Sequence, residues 1–265
     1  MILSIFLFAF PADILAVPDT LWRRQVDSYG AIIRGDTARR ELSLVLTGDA
    51  FADGGKVIRK TLRRQKVSAA FFLTGNFYGR PEFASLIRRL KSDGHYLGAH
   101  SDEHLLYCDW TNRDSLLVSE SQFKADLLAN YRKMELFGIE AGDAHWFLPP
   151  YEWYNQQIAE WTSQMGLELI NFTPGTRSHA DYTYPEMGNR YVSSTIIFDS
   201  ILEHEERDPH GLNGFMLLIH IGTDPRRDDK FYDRLDDLIT TLKGRGYRFV
   251  RLPELLRRYD LHHSE

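Results

Sequence analysis

The chain has 265 residues, a length that suits one large domain or two small ones of ~150 residues each. Hydrophobic residues make up 43% and charged residues 26%, which excludes a disordered, collagen-like or coiled-coil protein. The net charge of −5 argues against a nucleic-acid partner, and the single cysteine, Cys108, excludes a disulfide framework and a cysteine-rich zinc cluster.

An uncharged apolar run opens the chain and ends before Asp13, the first charged residue. The run is too short to span a bilayer but has the length of the apolar part of a secretory signal. We therefore predict a targeting segment over residues 1–16 and an exported protein, periplasmic or extracellular, whose mature chain has no membrane span. No Lys or Arg precedes the run, so a buried N-terminal element in a cytoplasmic protein is the alternative.

Apolar runs of strand length then alternate with amphipathic stretches of helix length. The predicted strands are Leu42–Thr47, Ser68–Thr74, Tyr96–Ala99, His145–Leu148, Leu167–Thr173, Phe215–Ile221 and Arg248–Leu252. The predicted helices are Lys56–Gln65, Glu82–Ser92, Ser119–Phe137, Asn155–Met165, Ser194–Glu206 and Asp229–Lys243. This alternation predicts an α/β fold with parallel strands joined by helical crossovers, and the length suits a single β/α barrel. Residues 31–33 would add an eighth strand.

Polar side chains follow three of the predicted strands. Asp49 follows the first strand, His100 and His104 follow the third, and His220 ends the sixth. Strand ends meet at one face of a parallel barrel, and imidazoles with a carboxylate typically bind Zn²⁺ or a similar ion. The set therefore predicts a mononuclear metal hydrolase. If a helical turn starts at His100, the imidazoles of His100 and His104 lie on the same face of that turn. Taken singly, each residue also suits a structural role: a solvated histidine pair, a helix cap and a core histidine.

The order of these motifs resembles that of the NodB-like polysaccharide deacetylases (carbohydrate esterase family 4), from about Glu41 to Leu256. The matching segments are Leu46–Ala50, Val67–Thr74, His100–His104, Leu148–Tyr151, Met216–His220 and Gly244–Leu252. The amino acids found at these positions indicate a divergent subgroup of the family. The resemblance implies one distorted barrel domain over residues 17–265, with its core over residues 41–256. It also implies a metal-dependent hydrolase that removes acetyl groups from an N- or O-acetylated polysaccharide or oligosaccharide.

Position by position, the resemblance makes Asp49 the general base and His220 the general acid. It assigns His100 and His104 to the metal, which we expect to be Zn²⁺, with Co²⁺, Ni²⁺ or Mn²⁺ as alternatives. The backbone N–H of Tyr151 falls where the family holds the oxyanion. The family also uses an acidic residue to tune the acid histidine, and Asp181 is a candidate for that role.

Two positions depart from the family pattern. Ala50 stands where the family has a metal-binding aspartate, so Asp53, Asp49 itself or water would complete the metal site. Leu148 stands where the family has the arginine that orients the base. We therefore expect the ionised form of Asp49 to be less stabilised, unless another cation takes the place of that arginine. Glu152 is a further acid/base candidate beside Tyr151.

Aromatic residues follow the same strand ends. We predict a sugar-stacking cleft formed by Trp110, Tyr151, Trp153 and Tyr154 with Pro150, and the alternative is that Trp153 and Tyr154 pack beneath their loop. Two other functions stay open. A non-catalytic carbohydrate-binding relative would explain both departures from the motif, and a C–N hydrolase could act on a small cyclic amide.

Overall fold

The computed structural model describes residues 24–256, so the predicted targeting segment lies outside the described residues. The strands are β1 (Gln25–Val26), β2 (Ile32–Arg34), β3 (Glu41–Gly48), β4 (Ala69–Leu73), β5 (Tyr96–Ala99), β6 (Trp146–Phe147), β7 (Glu168–Leu169), β8 (Phe215–His220) and β9 (Arg248–Phe249). The α-helices are α1 (Gly55–Gln65), α2 (Gly75–Tyr78), α3 (Ala84–Ser92), α4 (Glu120–Glu135), α5 (Gln156–Gln164), α6 (Ser194–Arg207), α7 (Leu235–Gly244) and α8 (Leu252–Leu255). None of the helices within this range has the length and apolarity needed to cross a membrane.

The centre of the sheet is β3, all of whose residues are buried. Its neighbours β4 and β8 run parallel to it. Because a parallel strand is covered on both faces of the sheet, its sequence is a continuous apolar run. Leu44 and Leu46 join the larger apolar cluster, whereas Val45, between them, joins the smaller one. Both faces of the sheet are therefore packed, as expected of a β/α barrel.

The strands form one curled sheet in the order β1-β2-β8-β3-β4-β5-β6-β7, with β9 beside β3. The predicted α/β fold with parallel strands is confirmed from β3 onward. The N-terminal strand differs, because β2 pairs antiparallel with β8 and makes the sheet mixed. A parallel bridge between Ile32 and Ile170 also brings the two ends of the sheet together.

The predicted strand Leu167–Thr173 is much shorter in the structure than in the sequence pattern. The apolar stretch over residues 167–173 forms a strand only at Glu168–Leu169, because the chain then turns across the mouth of the curled sheet. There the N–H of Asn171 donates to the carbonyl of Ile32 at 2.9 Å, and the N–H of Thr173 donates to that of Met216 at 3.1 Å. These residues satisfy their backbone groups in closing the sheet and not in a longer strand.

Candidate active site

A cavity of about 790 Å³ opens at the carboxyl ends of β3, β5 and β8. Its lining includes seven of the residues singled out in the sequence: Asp49, His100, His104, Trp110, Tyr151, Glu152 and His220. Residues from distant parts of the chain meet here because parallel strands end on the same side of the sheet. The structure thus brings most of the predicted site together in one place.

Asp49 leaves the end of β3 beside Thr74, which follows β4. The pairing of Gly48 with Leu73 sets these two residues side by side, and the hydroxyl of Thr74 donates to Oδ1 of Asp49 at 2.8 Å. No Lys or Arg within residues 24–256 forms an ion pair with Asp49, while the side chain of Leu148 is buried in the smaller apolar cluster. A neutral hydroxyl therefore orients this carboxylate where a cation was expected.

His100 ends β5 and is buried. Its Nδ1 donates to the carbonyl of Leu148 at 2.7 Å, which leaves the lone pair on Nε2, and its backbone N–H donates to Oδ1 of Asn130 at 2.9 Å. Burial, reinforced by the neighbouring His104, holds the pKa of His100 well below its usual value, so the ring is neutral. A neutral imidazole held through its other nitrogen is the usual state of a metal-binding histidine.

The loop from His100 to His104 contains no helical turn, so that expectation was wrong. Ser101 (φ 73°) and His104 (φ 57°) both take left-handed backbone conformations. Asp126 of α4 holds the loop, since its carboxylate accepts from the hydroxyl of Ser101 at 2.7 Å and from the next two backbone N–H groups at 3.1 and 3.0 Å. The loop still brings the two imidazole rings to 5.1 Å, edge to face.

A divalent metal ion, which the resemblance implies, finds only part of a binding site here. His100 and His104 offer two adjacent imidazoles, and the carboxylate of Asp49 faces the same cavity. However, no three His, Cys, Asp or Glu side chains within the described chain are grouped closely enough to hold an ion. The donor chemistry therefore fits a divalent ion, while the third protein ligand is not in place.

Asp53 does not join this cavity, which corrects its prediction as a metal ligand. Its carboxylate forms an ion pair with Lys230 at 3.0 Å and accepts from the hydroxyl of Tyr232 and the N–H of Thr223, both at 2.8 Å. These partners hold the loop after β8 against the loop after β3. The side chain that might have replaced the aspartate missing at Ala50 thus serves a structural role.

His220, at the end of β8, is paired with the buried Asp181 from the 3₁₀ turn Ser178–Tyr182. Its Nδ1 donates to Oδ1 of Asp181 at 2.6 Å, and its backbone N–H donates to Oδ2 at 2.9 Å. Burial lowers the pKa of His220, but the charge and hydrogen bond of Asp181 outweigh that effect, and the net shift is upward. The structure thus provides a histidine that can carry a proton on the cavity side.

Tyr151 and Glu152 form an unusual turn after β6. Both have left-handed φ angles, 59° and 53°, and such residues cost roughly 1–3 kcal/mol each when they are not glycine. The N–H of Glu152 donates to the carbonyl of Pro149, and Nδ2 of Asn171 donates to the carbonyl of Glu152, both at 3.1 Å. The turn sets the Tyr151 ring 4.4 Å from that of His104.

The structure places some of the predicted cleft residues in the cavity and the others behind it. Trp110, with 56% of its surface exposed, lies 5.5 Å from the Tyr151 ring and lines the cavity. Trp153 packs behind it, under the guanidinium of Arg113 at 4.1 Å, and donates to the carbonyl of Asp109 at 3.2 Å. Pro150 and Tyr154 are buried outside the cavity lining. These three residues therefore support the loop and do not face the cavity.

Several residues of the site had no signal in the sequence patterns. Thr74 and Asp126 act only through contacts across more than twenty positions of the chain, and Tyr182 faces His220 at 5.5 Å between ring centres. Asp126 is the exception, because an acidic residue at a buried position of an amphipathic helix is unusual and could have been noticed. Such a residue needs a buried partner.

Comparison with known proteins matches the chain to a family model and to curated proteins of similar length. A family model described as polysaccharide deacetylase matches residues 39–170. The chain is 22% identical over 231 residues to a peptidoglycan-N-acetylglucosamine deacetylase of Bacillus cereus, covering 87% of this chain and 73% of that protein.

Two solved structures share the fold. The Bc1960 peptidoglycan N-acetylglucosamine deacetylase has a TM-score of 0.67 at 21% identity and covers 86% of this chain and 93% of its own. The second, BA3943 from Bacillus anthracis, is described as a CE4 family pseudoenzyme, with a TM-score of 0.65 at 18% identity and coverage of 86% and 69%. The barrel expected from the motifs is thus confirmed as the fold of this group.

Proposed function

Because the chain belongs to the polysaccharide deacetylase family, we propose that it removes acetyl groups from an N- or O-acetylated polysaccharide or oligosaccharide. The observation that carries the proposal is the single cavity that unites Asp49, the His100–His104 pair and the His220–Asp181 pair. A base and an acid at the ends of the neighbouring strands β3 and β8 can serve the two proton transfers of acetyl hydrolysis.

In this mechanism Asp49, oriented by Thr74, takes a proton from the water that attacks the acetyl carbon. The backbone N–H of Tyr151 donates to the oxyanion, and loss of one such donor typically costs ~2.7–4 kcal/mol of transition-state stabilisation. His220 then protonates the leaving amine or alkoxide. Asp181 fixes the tautomer and stabilises the imidazolium before that transfer.

We also propose that His100 and His104 hold a divalent ion, in the first place Zn²⁺ and otherwise Co²⁺, Ni²⁺ or Mn²⁺, with Asp49 or water completing its ligands. Bound there, the ion would supply Lewis-acid polarisation of the acetyl carbonyl and lower the pKa of a nearby water. The hydrogen bond from His100 to Leu148 supports this role, because it leaves Nε2 free for an ion.

The substrate follows from the aromatic side of the cavity. Exposed Trp110 and Tyr151 offer faces on which a sugar ring can stack. The name of the Bacillus cereus relative points to peptidoglycan as a substrate, and an exported enzyme with one domain over residues 17–265 would reach it.

A non-catalytic carbohydrate-binding role is the second candidate. Ala50 and the missing third metal ligand favour it, and a pseudoenzyme of the same fold shows that the fold exists without activity. That alternative keeps Trp110 and Tyr151 as a sugar platform and gives no role to His220. Nothing in the described residues favours hydrolysis of a small cyclic amide.

The deciding experiment measures metal content and acetate release together. We compare the wild type with His104→Ala and with His210→Ala, an exposed histidine outside the cavity. We expect near-stoichiometric divalent metal and acetate release in the wild type and in His210→Ala, and loss of both in His104→Ala. No metal and no acetate from the wild type after incubation with zinc would contradict the hydrolase and favour the binding protein.

A further inference from the structure

The geometry of Glu152 assigns it a role that the reaction above does not use: we propose that its carboxyl recognises the amine exposed when an N-acetylated amino sugar is deacetylated. The proposal rests on the proposed function and narrows it, since it selects N-acetyl over O-acetyl substrates. The ligand class is a glycan that carries a primary amine on the sugar ring.

The first argument is the lack of a partner for this carboxyl. In residues 24–256, Asp49 accepts from Thr74 and Asp181 from His220, but no donor or cation bonds to the carboxyl of Glu152. Glu152 nevertheless lines the same cavity. Glu152 is only half-buried, so its carboxyl is open to the cavity, where a bound ligand can supply the partner that the protein does not.

The second argument is the backbone that holds it there. Tyr151 and Glu152 are consecutive residues with left-handed φ, a conformation that side chains other than glycine adopt rarely. The hydrogen bond from Asn171 to the carbonyl of Glu152 stabilises this turn. An ordinary extended path would direct the side chain elsewhere, so the turn keeps the carboxyl at the cavity wall.

The third argument is the charge environment. Burial and the nearby charge of Asp181 raise the pKa of Glu152 to about 7, against the opposite effect of His220. Burial lowers the pKa of His179, which lines the same cavity. The other titratable or charged side chains of its lining are Asp49, His100, His104, Arg190, His220, Asp224 and Arg226. Near neutral pH this carboxyl can therefore hold a proton or release it.

The product chemistry matches that property. Hydrolysis breaks the C–N bond, the oxygen of water joins the acetyl carbon, and His220 gives the nitrogen its first proton. The free amine then takes a second proton from the carboxyl of Glu152, which leaves an ammonium–carboxylate pair. Hydrolysis of an O-acetyl ester leaves a neutral hydroxyl group that takes no second proton, so this pair forms only with amino sugars.

The test uses the full protein and three variants. Glu152→Gln removes the charge at nearly constant size, Glu152→Asp keeps the charge on a shorter side chain, and Glu140→Gln changes an exposed glutamate far from the cavity. Calorimetry measures binding of a glucosamine oligosaccharide and of its fully N-acetylated counterpart at about pH 7.5 and about pH 5. Acetate release is measured on N-acetylated and on O-acetylated oligosaccharides.

We expect the wild type and Glu140→Gln to bind the amino oligosaccharide several-fold more tightly at about pH 7.5 than at about pH 5. Glu152→Gln should lose that preference and about tenfold of its selectivity for N-acetyl over O-acetyl substrates, and Glu152→Asp should retain part of both. Equal losses on the two substrates would overturn the proposal in favour of a general acid/base role. Unchanged binding of the amino oligosaccharide by Glu152→Gln would also overturn it.

The binding arm separates this proposal from the function on which it rests. Suppose that the wild type releases no acetate but binds the amino oligosaccharide more tightly than the N-acetylated one, and that Glu152→Gln abolishes this difference. The proposal of a hydrolase is then wrong, while the proposal of amine recognition stands. If the wild type releases acetate without that difference in binding, the hydrolase stands and the role of Glu152 fails.

Discussion

At the scale of single residues, His220 depends on one neighbour for its proton. The short hydrogen bond to the buried Asp181 fixes the tautomer of the ring and raises its pKa against the effect of burial. An acid histidine works only while protonated, so activity should fall as the pH rises through this raised pKa. The upward shift extends activity toward neutral and alkaline pH.

Asp181→Asn removes that support. We expect kcat/KM for acetate release to fall by roughly 10²–10⁴, because the ring loses both its counter-charge and its preferred tautomer. The alkaline limb of the pH profile should move to lower pH, since the pKa of His220 falls without the carboxylate. The control is Asp199→Asn, an exposed position on α6. An unshifted alkaline limb in the Asp181 variant would show that another group supplies the proton.

Thr74 is the residue that stands in for the missing arginine, and it also caps α2 by accepting from the N–H of Phe77 at 3.1 Å. Thr74→Val keeps the shape but removes the donor at 2.8 Å and leaves Asp49 with the longer contact from Nδ2 of Asn76 at 3.5 Å, so we expect kcat/KM to drop about 10²-fold. Loss of the cap should lower the free energy of unfolding by ~1 kcal/mol. Thr74→Ser, which retains the hydroxyl, should preserve both values, and full activity in the valine variant would refute the orienting role.

At the scale of elements, helix α4 supports the loop from His100 to His104 through hydrogen bonds. Asp126 accepts three hydrogen bonds from the loop, and Asn130 one turn later accepts from the N–H of His100. The left-handed residues of the loop persist because these partners satisfy its backbone groups. The conformation of His100 and His104, the proposed metal ligands, therefore depends on a helix that lines no part of the cavity.

Asp126→Ala would leave the Ser101 hydroxyl and two backbone N–H groups without their acceptor. We expect a loss of ~2–4 kcal/mol in the free energy of unfolding, measured by urea denaturation, together with weaker metal retention. Glu135→Ala, at an exposed position of the same helix, is the matched control. Metal content equal to that of the wild type would mean that the loop holds its shape without this carboxylate.

At the scale of the whole molecule, the N-terminal strand ties the two ends of the curled sheet together. Buried Arg34 on β2 donates to the carbonyls of Asn213 and Gly211, each at 2.8 Å, and pairs with Asp208 at 3.4 Å. Arg34→Ala should lower the free energy of unfolding by ~2–4 kcal/mol, since two carbonyls lose a charged donor. Arg132→Ala, exposed on α4, should change it by less than ~0.5 kcal/mol, and an equal effect of both would contradict the role of Arg34 in holding β2 against the segment before β8.

How far the sequence predicts this molecule depends on the range of the interactions involved. The buried strands β3, β4 and β8 follow from apolar runs, and the helices from their amphipathic period, because both patterns record local burial. The order of Asp49, His100, His104 and His220 on successive strand ends was readable for the same reason. Parallel strands must end at one face, so these residues had to meet.

Other features depend on partners that are distant in the chain. The donor to Asp49, the anchor of the histidine loop, the commitment of Asp53 to Lys230 and the burial of Trp153 each join segments that are far apart in sequence. Their hydrogen bonds form only once packing has excluded water and brought the partners within about 3 Å. Composition and period therefore specify the barrel and the face that carries the candidate site, whereas the orientation of each side chain there is set by contacts that exist only in the folded chain.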